Sequence, residues 1–127
     1  MNLEKVVFGF FIPLAAALNF GFFVGEIDNP TVHNGVELAA ALVASLVATV
    51  LKFGDRTQLG AIHLATRLVA DLQLLVAAAV WVWASRMLAS GMSEAHMSVV
   101  VSLSGGALLA NIVSVVLMVS EIIQVRR

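Results

Sequence analysis

The chain has 127 residues, of which 61% are hydrophobic and 12% are charged, and its formal net charge is −1. So few polar residues cannot cover a soluble globule of this size, which excludes an ordinary soluble domain. The near-neutral charge offers no basic surface for nucleic acid, and the absence of cysteine excludes disulfides and thiolate metal sites. We therefore expect an integral membrane protein.

Four apolar segments fill most of the sequence, and they are predicted to be helices over about 3–25, 35–53, 56–87 and 94–125. A helical run of roughly 20 apolar residues matches the roughly 30 Å hydrocarbon core of a bilayer. The first run is expected to be a retained helix and not a signal peptide. The prediction is thus an all-α, membrane-spanning four-helix bundle that forms one transmembrane domain over residues 1–127.

Capping residues mark where three of these helices begin. Asn34 precedes Glu37 by three positions, which is the spacing of a capping box that opens the second helix. Asp55 and Gln58 have the same spacing before the third helix. Ser93 is a good cap for the fourth.

Positive charges are concentrated on one side of the predicted membrane. Lys5, Lys52, Arg56 and the arginines at 126–127 fall on that side, whereas Arg86 falls on the other. Cytoplasmic loops and termini carry an excess of Lys and Arg in membrane proteins. The sequence therefore predicts that both termini are cytoplasmic (N-in/C-in).

The third helix carries a stripe of ionisable residues. His63, Arg67 and Asp71 are spaced by four, so they lie along one face of the helix. A charged side chain at the centre of a membrane helix costs about 2.5–3.5 kcal/mol, so a retained one often carries function. One hypothesis is an ion or proton path, with Asp71 as its acidic site, Arg67 as the partner and His63 at the inner entrance. The other is a buried Arg67–Asp71 ion pair that fixes helix packing or subunit register.

A second stripe lies on the second helix, where Glu37, Ala41, Ser45 and Thr49 are also spaced by four. This partly polar face is expected to border a cavity shared with Asp71. Glu37 has a simpler explanation as well, because the capping box accounts for it without transport.

The fourth helix carries small residues at every fourth position, namely Ser98, Ser102, Gly106, Ala110 and Ser114. Such a face lets another helix approach closely, either within the subunit or across a symmetric dimer. We expect a packing face and a homo-oligomer.

The remaining polar residues suggest no chemistry. Asn19, Gln73 and Asn111 are expected to hydrogen-bond between helices, for about 0.6 kcal/mol each. The sequence has no Gly-rich phosphate loop, and its three histidines are scattered. We therefore predict no catalytic residues, no metal site, no cofactor and no enzyme activity.

Three segments carry a resemblance to known sequences: IDNP at 27–30, KFGDRTQ at 52–58 and LVADLQL at 68–74. With these anchors the chain resembles an uncharacterised family of small four-helix bacterial inner-membrane proteins. The resemblance implies four spans and a bacterial origin, and it implies no activity. Small multidrug exporters and fluoride channels have a similar length and span number, but the embedded glutamate of the former and the Asn- and Phe-rich motifs of the latter are missing here.

Two classes of function follow from these patterns. The first is an oligomeric channel or transporter for an inorganic cation or protons, which would use Asp71, Arg67 and Glu37. The alternative is an accessory or structural subunit that packs into a larger membrane protein complex. In both classes the lipid bilayer is the main surrounding partner.

Overall fold

The computed structural model describes residues 3–24, 35–53, 57–88 and 91–126. The described chain is all-helical and has the four predicted helices: α1 (Leu3–Phe23), α2 (Gly35–Lys52), α3 (Gln58–Val82) and α4 (Glu94–Arg126). A π-helical segment, Trp83–Met87, extends α3. Each of the four helices is long and apolar enough to cross a membrane.

The helices form an antiparallel bundle in which α1 and α3 each pack against α2 and α4. At one end, Phe8 near the start of α1 lies against Lys52, the last residue of α2, and His63 in the second turn of α3. At the other end, Phe22 of α1 contacts Trp81 of α3, with 5.9 Å between ring centroids. Consecutive helices therefore run in opposite directions.

The start of α3 differs from the predicted one. The Gly60 N–H donates to Thr57 Oγ1 at 2.9 Å, which makes Thr57 the N-cap and Gln58 the first helical residue. The predicted caps Asp55 and Asn34 lie outside the described residues. Thr57 takes the capping role because a hydroxyl at this position satisfies a backbone donor of the first turn.

The start of α4 agrees with the prediction. The His96 N–H donates to Ser93 Oγ at 3.2 Å, which confirms Ser93 as the cap. Gly91 precedes it with φ 73°, a left-handed conformation that glycine adopts without a Cβ clash. The chain can therefore reverse between α3 and α4 within a few residues.

The buried interior has two apolar clusters. The larger one contains Phe22, Leu38, Ala41, Leu74, Ala77, Met97, Val100, Val101 and Ala107. The smaller one, towards the opposite end, contains Phe8, Ile12 and Ala48. Buried polar side chains lie between the clusters, and they form the candidate site.

The outside of the bundle is apolar as well. Large apolar side chains are exposed on every helix, for example Phe10, Val43, Leu72 and Leu109. A water-soluble helical bundle would place charged and polar residues on this surface. The exposed face therefore suits an apolar surrounding.

Close packing between α1 and α4 depends on Gly105. A β-carbon added at Gly105 would lie 2.8 Å from the ring of Phe23, whereas one added at Gly9 would have nothing within 4 Å. Gly105→Leu is expected to destabilise the bundle by about 1–3 kcal/mol, because the extra side chain has to displace a packed ring. Unfolding by SDS in mixed micelles, followed by tryptophan fluorescence, measures this loss.

Gly9→Leu is the matched control, and it should change stability by less than about 0.5 kcal/mol. Equal losses for Gly105→Leu and Gly9→Leu would show that α4 does not depend on close approach at this position.

Candidate functional site

The site is centred on Asp71, which lies near the middle of α3 and is only 5% exposed. Both carboxylate oxygens accept hydrogen bonds from α2: Ser45 Oγ donates to Oδ1 at 2.5 Å, and Thr49 Oγ1 donates to Oδ2 at 2.5 Å. Hydrogen bonds to an ionised acceptor are the stronger kind, and they offset part of the cost of burying the charge. The prediction that Ser45 and Thr49 of the α2 stripe face Asp71 is confirmed.

Arg67, one turn before Asp71 on α3, is fully buried. Its Nη1 donates to Asn111 Oδ1 at 2.5 Å and to Ser114 Oγ at 3.1 Å, both on α4. Its Nη2 donates to Ser45 Oγ on α2. The guanidinium therefore holds α2, α3 and α4 together.

The two charges are not in direct contact. Among the described residues, Arg67 and Asp71 form no ion pair, and the Ser45 hydroxyl lies between them, accepting from Arg67 and donating to Asp71. The predicted close pair is thus a three-membered chain. It takes this form because Arg67 extends towards α4, where two oxygen acceptors are available to it.

The α1 helix joins through amides. Asn111 Nδ2 donates to Asn19 Oδ1 at 2.9 Å, and Asn19 Nδ2 donates to the Ser104 carbonyl at 2.9 Å. The predicted interhelical role of Asn19 and Asn111 is confirmed by these bonds. We call the connected set the polar layer; its members are Asn19, Ser45, Thr49, Arg67, Asp71, Asn111 and Ser114.

A second group of polar residues lies at the end of the bundle where α1 begins. Lys52 Nζ lies 2.6 Å from Glu121 Oε1 and 5.0 Å from the centre of the Phe8 ring. His63 Nδ1 lies 3.5 Å from the same Glu121 oxygen, and the His63 ring packs edge-on against Phe8. We call Phe8, Lys52, His63 and Glu121 the end cluster.

Sequence reasoning missed Glu121. It placed His63 at the inner entrance, but it did not pair Lys52 with Glu121, which is 69 residues away. The available signal was topological, because the ends of α2 and α4 lie on the same side of an antiparallel bundle. Opposite charges near those two ends favour a pair.

Several buried polar atoms have no hydrogen-bond partner within the described part of the protein. They are His63 Nδ1 and Nε2, Arg67 Nε and Gln73 Oε1. Each belongs to α3, and a buried polar atom without a protein partner normally binds water. Water at these atoms would satisfy them at two separate places, on the face of α3 that carries His63 and Arg67 and where Gln73 packs against Gly106 of α4.

Glu37 lies apart from Asp71. Its carboxylate packs over Gly21 of α1, where an added β-carbon would collide with it. It belongs to the first turn of α2, whereas Ser45 is two turns further along the helix. The α2 stripe therefore contacts two different parts of the bundle: Ser45 and Thr49 contact Asp71, and Glu37 faces α1.

The small-residue face of α4 is only partly covered. Ala110 and Ser114 are buried, and Gly106 packs against the Gln73 side chain of α3. Ser98 is half-buried and Ser102 is exposed. The buried face of α4 is rotated towards other residues, including Ser104, Ala107 and Asn111.

The described residues include no group of three or more His, Cys, Asp or Glu side chains that could hold a metal ion. The ionisable groups of the core are instead single charges, each held by hydroxyls, amides or one opposite charge. Such a site can carry or exchange a proton at a carboxylate or an imidazole.

Together, the fold and the polar layer define an all-helical bundle of four helices, each long and apolar enough to span a membrane. The model of the DUF6394 family, a family of unknown function, matches residues 32–122, and the chain belongs to this family. The match confirms the predicted resemblance to an uncharacterised family. No curated protein and no solved structure matches the chain.

Proposed function

We propose that the chain is a multi-pass protein of a bacterial inner membrane, with all four helices inserted and both termini in the cytoplasm. The apolar outer surface and the excess of Lys and Arg on one side of the bundle support this orientation. In it, the end cluster lies on the cytoplasmic side and Arg86 on the outer side.

Its proposed activity is proton movement across the membrane through the polar layer. The observation that carries the proposal is the buried carboxylate of Asp71, held by Ser45 and Thr49 near the middle of α3. An ionisable residue at this depth is a candidate functional residue by default, and ion paths and proton relays are among the roles of such residues. The partnerless polar atoms of His63 and Arg67, which are spaced by four like Asp71, support a connection from Asp71 towards the start of α3.

A proton suits this core better than a metal cation does. Arg67 provides a fixed positive charge one turn from Asp71, and Lys52 adds another near the cytoplasmic end. A metal cation moving past them would be repelled at short range in a medium of low dielectric constant. A proton is transferred between oxygen and nitrogen atoms as one covalent bond breaks and another forms. It therefore needs no open passage wide enough for a metal ion.

Protonation of Asp71 would change the hydrogen bonds of the polar layer. A carboxylate oxygen that gains a proton becomes a donor, so the hydroxyl of Ser45 or Thr49 that donated to it has to turn. The Ser45 hydroxyl also contacts Arg67, which links the protonation of Asp71 to the position of the guanidinium.

Flux in liposomes tests the activity. We expect purified protein in liposomes with a trapped pH-sensitive dye to acidify the lumen when a potassium gradient and valinomycin impose a potential. Asp71→Asn should slow the protein-dependent rate by at least about tenfold, because an amide cannot take up the proton. Native flux in Asp71→Asn, or no flux in the native protein, would contradict the proposal.

Glu94→Gln is the matched control, because it removes the exposed carboxylate of the first turn of α4 by the same chemical change. Its flux should equal that of the native protein. SDS unfolding of both variants checks that Asp71→Asn still forms the bundle.

A second candidate is the accessory subunit of a larger membrane complex. The exposure of Ser102 favours it, because part of a small-residue face on α4 is left open to another helix. Native mass analysis from mild detergent separates the two. A defined homo-oligomer supports a transporter, whereas stoichiometric recovery with a larger partner supports the accessory role.

A further inference from the structure

We propose that the end cluster is an ionic closure that separates the polar layer from the cytoplasmic aqueous phase. This inference concerns the regulation of the proposed proton path, and it rests on the proposed function. Each helix contributes one member: Phe8 from α1, Lys52 from α2, His63 from α3 and Glu121 from α4. All four helices therefore meet in the end cluster.

The packing of the cluster excludes water from the layer behind it. The Lys52 ammonium lies over the Phe8 ring, and the His63 ring packs edge-on against the same phenylalanine. Ile12 and Ala48 of the smaller apolar cluster pack with Phe8. We expect these side chains to keep bulk water from the polar layer while Lys52 and Glu121 remain paired.

Glu121 is the member that can open. Its side chain is 26% exposed, against 6% for Lys52 and 0% for His63, so it alone reaches the outside. When its carboxylate turns outwards to water, the Lys52 ammonium loses this counter-charge and His63 loses its cover. His63 is four residues from Arg67 on the same face of α3, so opening at Glu121 connects the aqueous phase to the polar layer.

The Lys52–Glu121 pair is suited to a closure because the two charges stabilise each other when they are packed together, and because the loss of one of them is strongly destabilising. Removal of one partner from a buried charge pair leaves an uncompensated charge that recruits water. An apolar plug at this level would stay shut, whereas two opposite charges at the edge of the bundle can separate. Variants that remove one of the charges should therefore hold the end open.

Cysteine accessibility tests the closure. The chain has no native cysteine, so Ser114→Cys places a single thiol in the polar layer with a change of one atom. The reagent is methanethiosulfonate ethylsulfonate, which is membrane-impermeant, applied to the protein in lipid nanodiscs and followed by intact mass. We expect slow labelling of Ser114→Cys alone and complete labelling after denaturation.

Addition of Lys52→Met or Glu121→Gln should raise the labelling rate at least about tenfold. The loss of one partner of a buried charge pair destabilises the closed arrangement by more than the free energy that corresponds to a tenfold change. The exposed Lys5 gives the matched control, and Lys5→Met should leave the rate unchanged. The charge swap Lys52→Glu with Glu121→Lys should return the rate towards that of Ser114→Cys alone.

Unchanged labelling in Lys52→Met, or a charge swap that labels as fast as the single variants, would overturn the closure. The swap keeps the test decisive where a single variant unfolds, because it retains both charges. Labelling does not depend on flux. Faster labelling without proton movement would support the closure and contradict proton conduction. Proton flux with unchanged labelling would support conduction and contradict the closure.

Discussion

Arg67→Met is expected to destabilise the bundle by about 3–5 kcal/mol, because it removes one of two buried opposite charges that Ser45 links and leaves the other uncompensated. Methionine fills much of the same volume but donates no hydrogen bond. Asn111 and Ser114 then lose their donor, and Asp71 keeps its charge without the guanidinium that balances it. SDS unfolding followed by the fluorescence of Trp81 and Trp83 measures the change.

The matched control is Arg86→Met, because Arg86 is exposed in the π-helical segment at the other end of α3. It should change stability by less than about 0.5 kcal/mol. A double variant adds a second constraint: Arg67→Met with Asp71→Leu should lose less than Arg67→Met alone, because it leaves no unbalanced charge. If the double variant were less stable than Arg67→Met, the charges of Arg67 and Asp71 would not stabilise each other.

Asn111→Leu is expected to cost about 2 kcal/mol, because it removes one hydrogen-bond acceptor of Arg67 and the hydrogen-bond donor to Asn19 Oδ1, on two other helices. The Asn111 side chain accepts from Arg67 and donates to Asn19, so it is the link between α1 and the charges of α3. Leucine has the same number of side-chain heavy atoms with the same branching, so the substitution removes the hydrogen bonds without leaving a cavity. The same SDS unfolding experiment measures it.

Gln58→Leu is the control, because it replaces an exposed amide at the start of α3 by the same apolar side chain. Its stability should stay within about 0.5 kcal/mol of the native protein. If Asn111→Leu were as stable as Gln58→Leu, the amide would be dispensable and α1 would be held by apolar packing alone.

The stability and flux measurements address different properties of the same residues. Arg67 and Asn111 are expected to hold the helices together, whereas Asp71 is expected to carry the proton. Asp71→Asn keeps the shape of the side chain and can still accept one hydroxyl hydrogen bond from Ser45 or Thr49. Loss of conduction in an Asp71→Asn protein that still forms the bundle would therefore separate the proton site from its supporting bonds.

The sequence alone determined the four helices and the residues of the α3 stripe. Runs of apolar residues long enough to cross a bilayer have few alternatives to helices, since every backbone polar group has to be satisfied within the segment. The spacing of His63, Arg67 and Asp71 places them on one face by helical geometry. Their burial follows because charged groups avoid an apolar exterior.

Only the tertiary structure decided which groups these residues contact. The rotation of α2 and α4 about their axes sets Ser45 between Arg67 and Asp71, aims Asn111 at the guanidinium and leaves Ser102 exposed. These rotations result from packing at all four interfaces together, and spacing along one helix does not contain them. For the same reason the contact of Lys52 with Glu121 depends on the bundle, which brings the ends of α2 and α4 side by side.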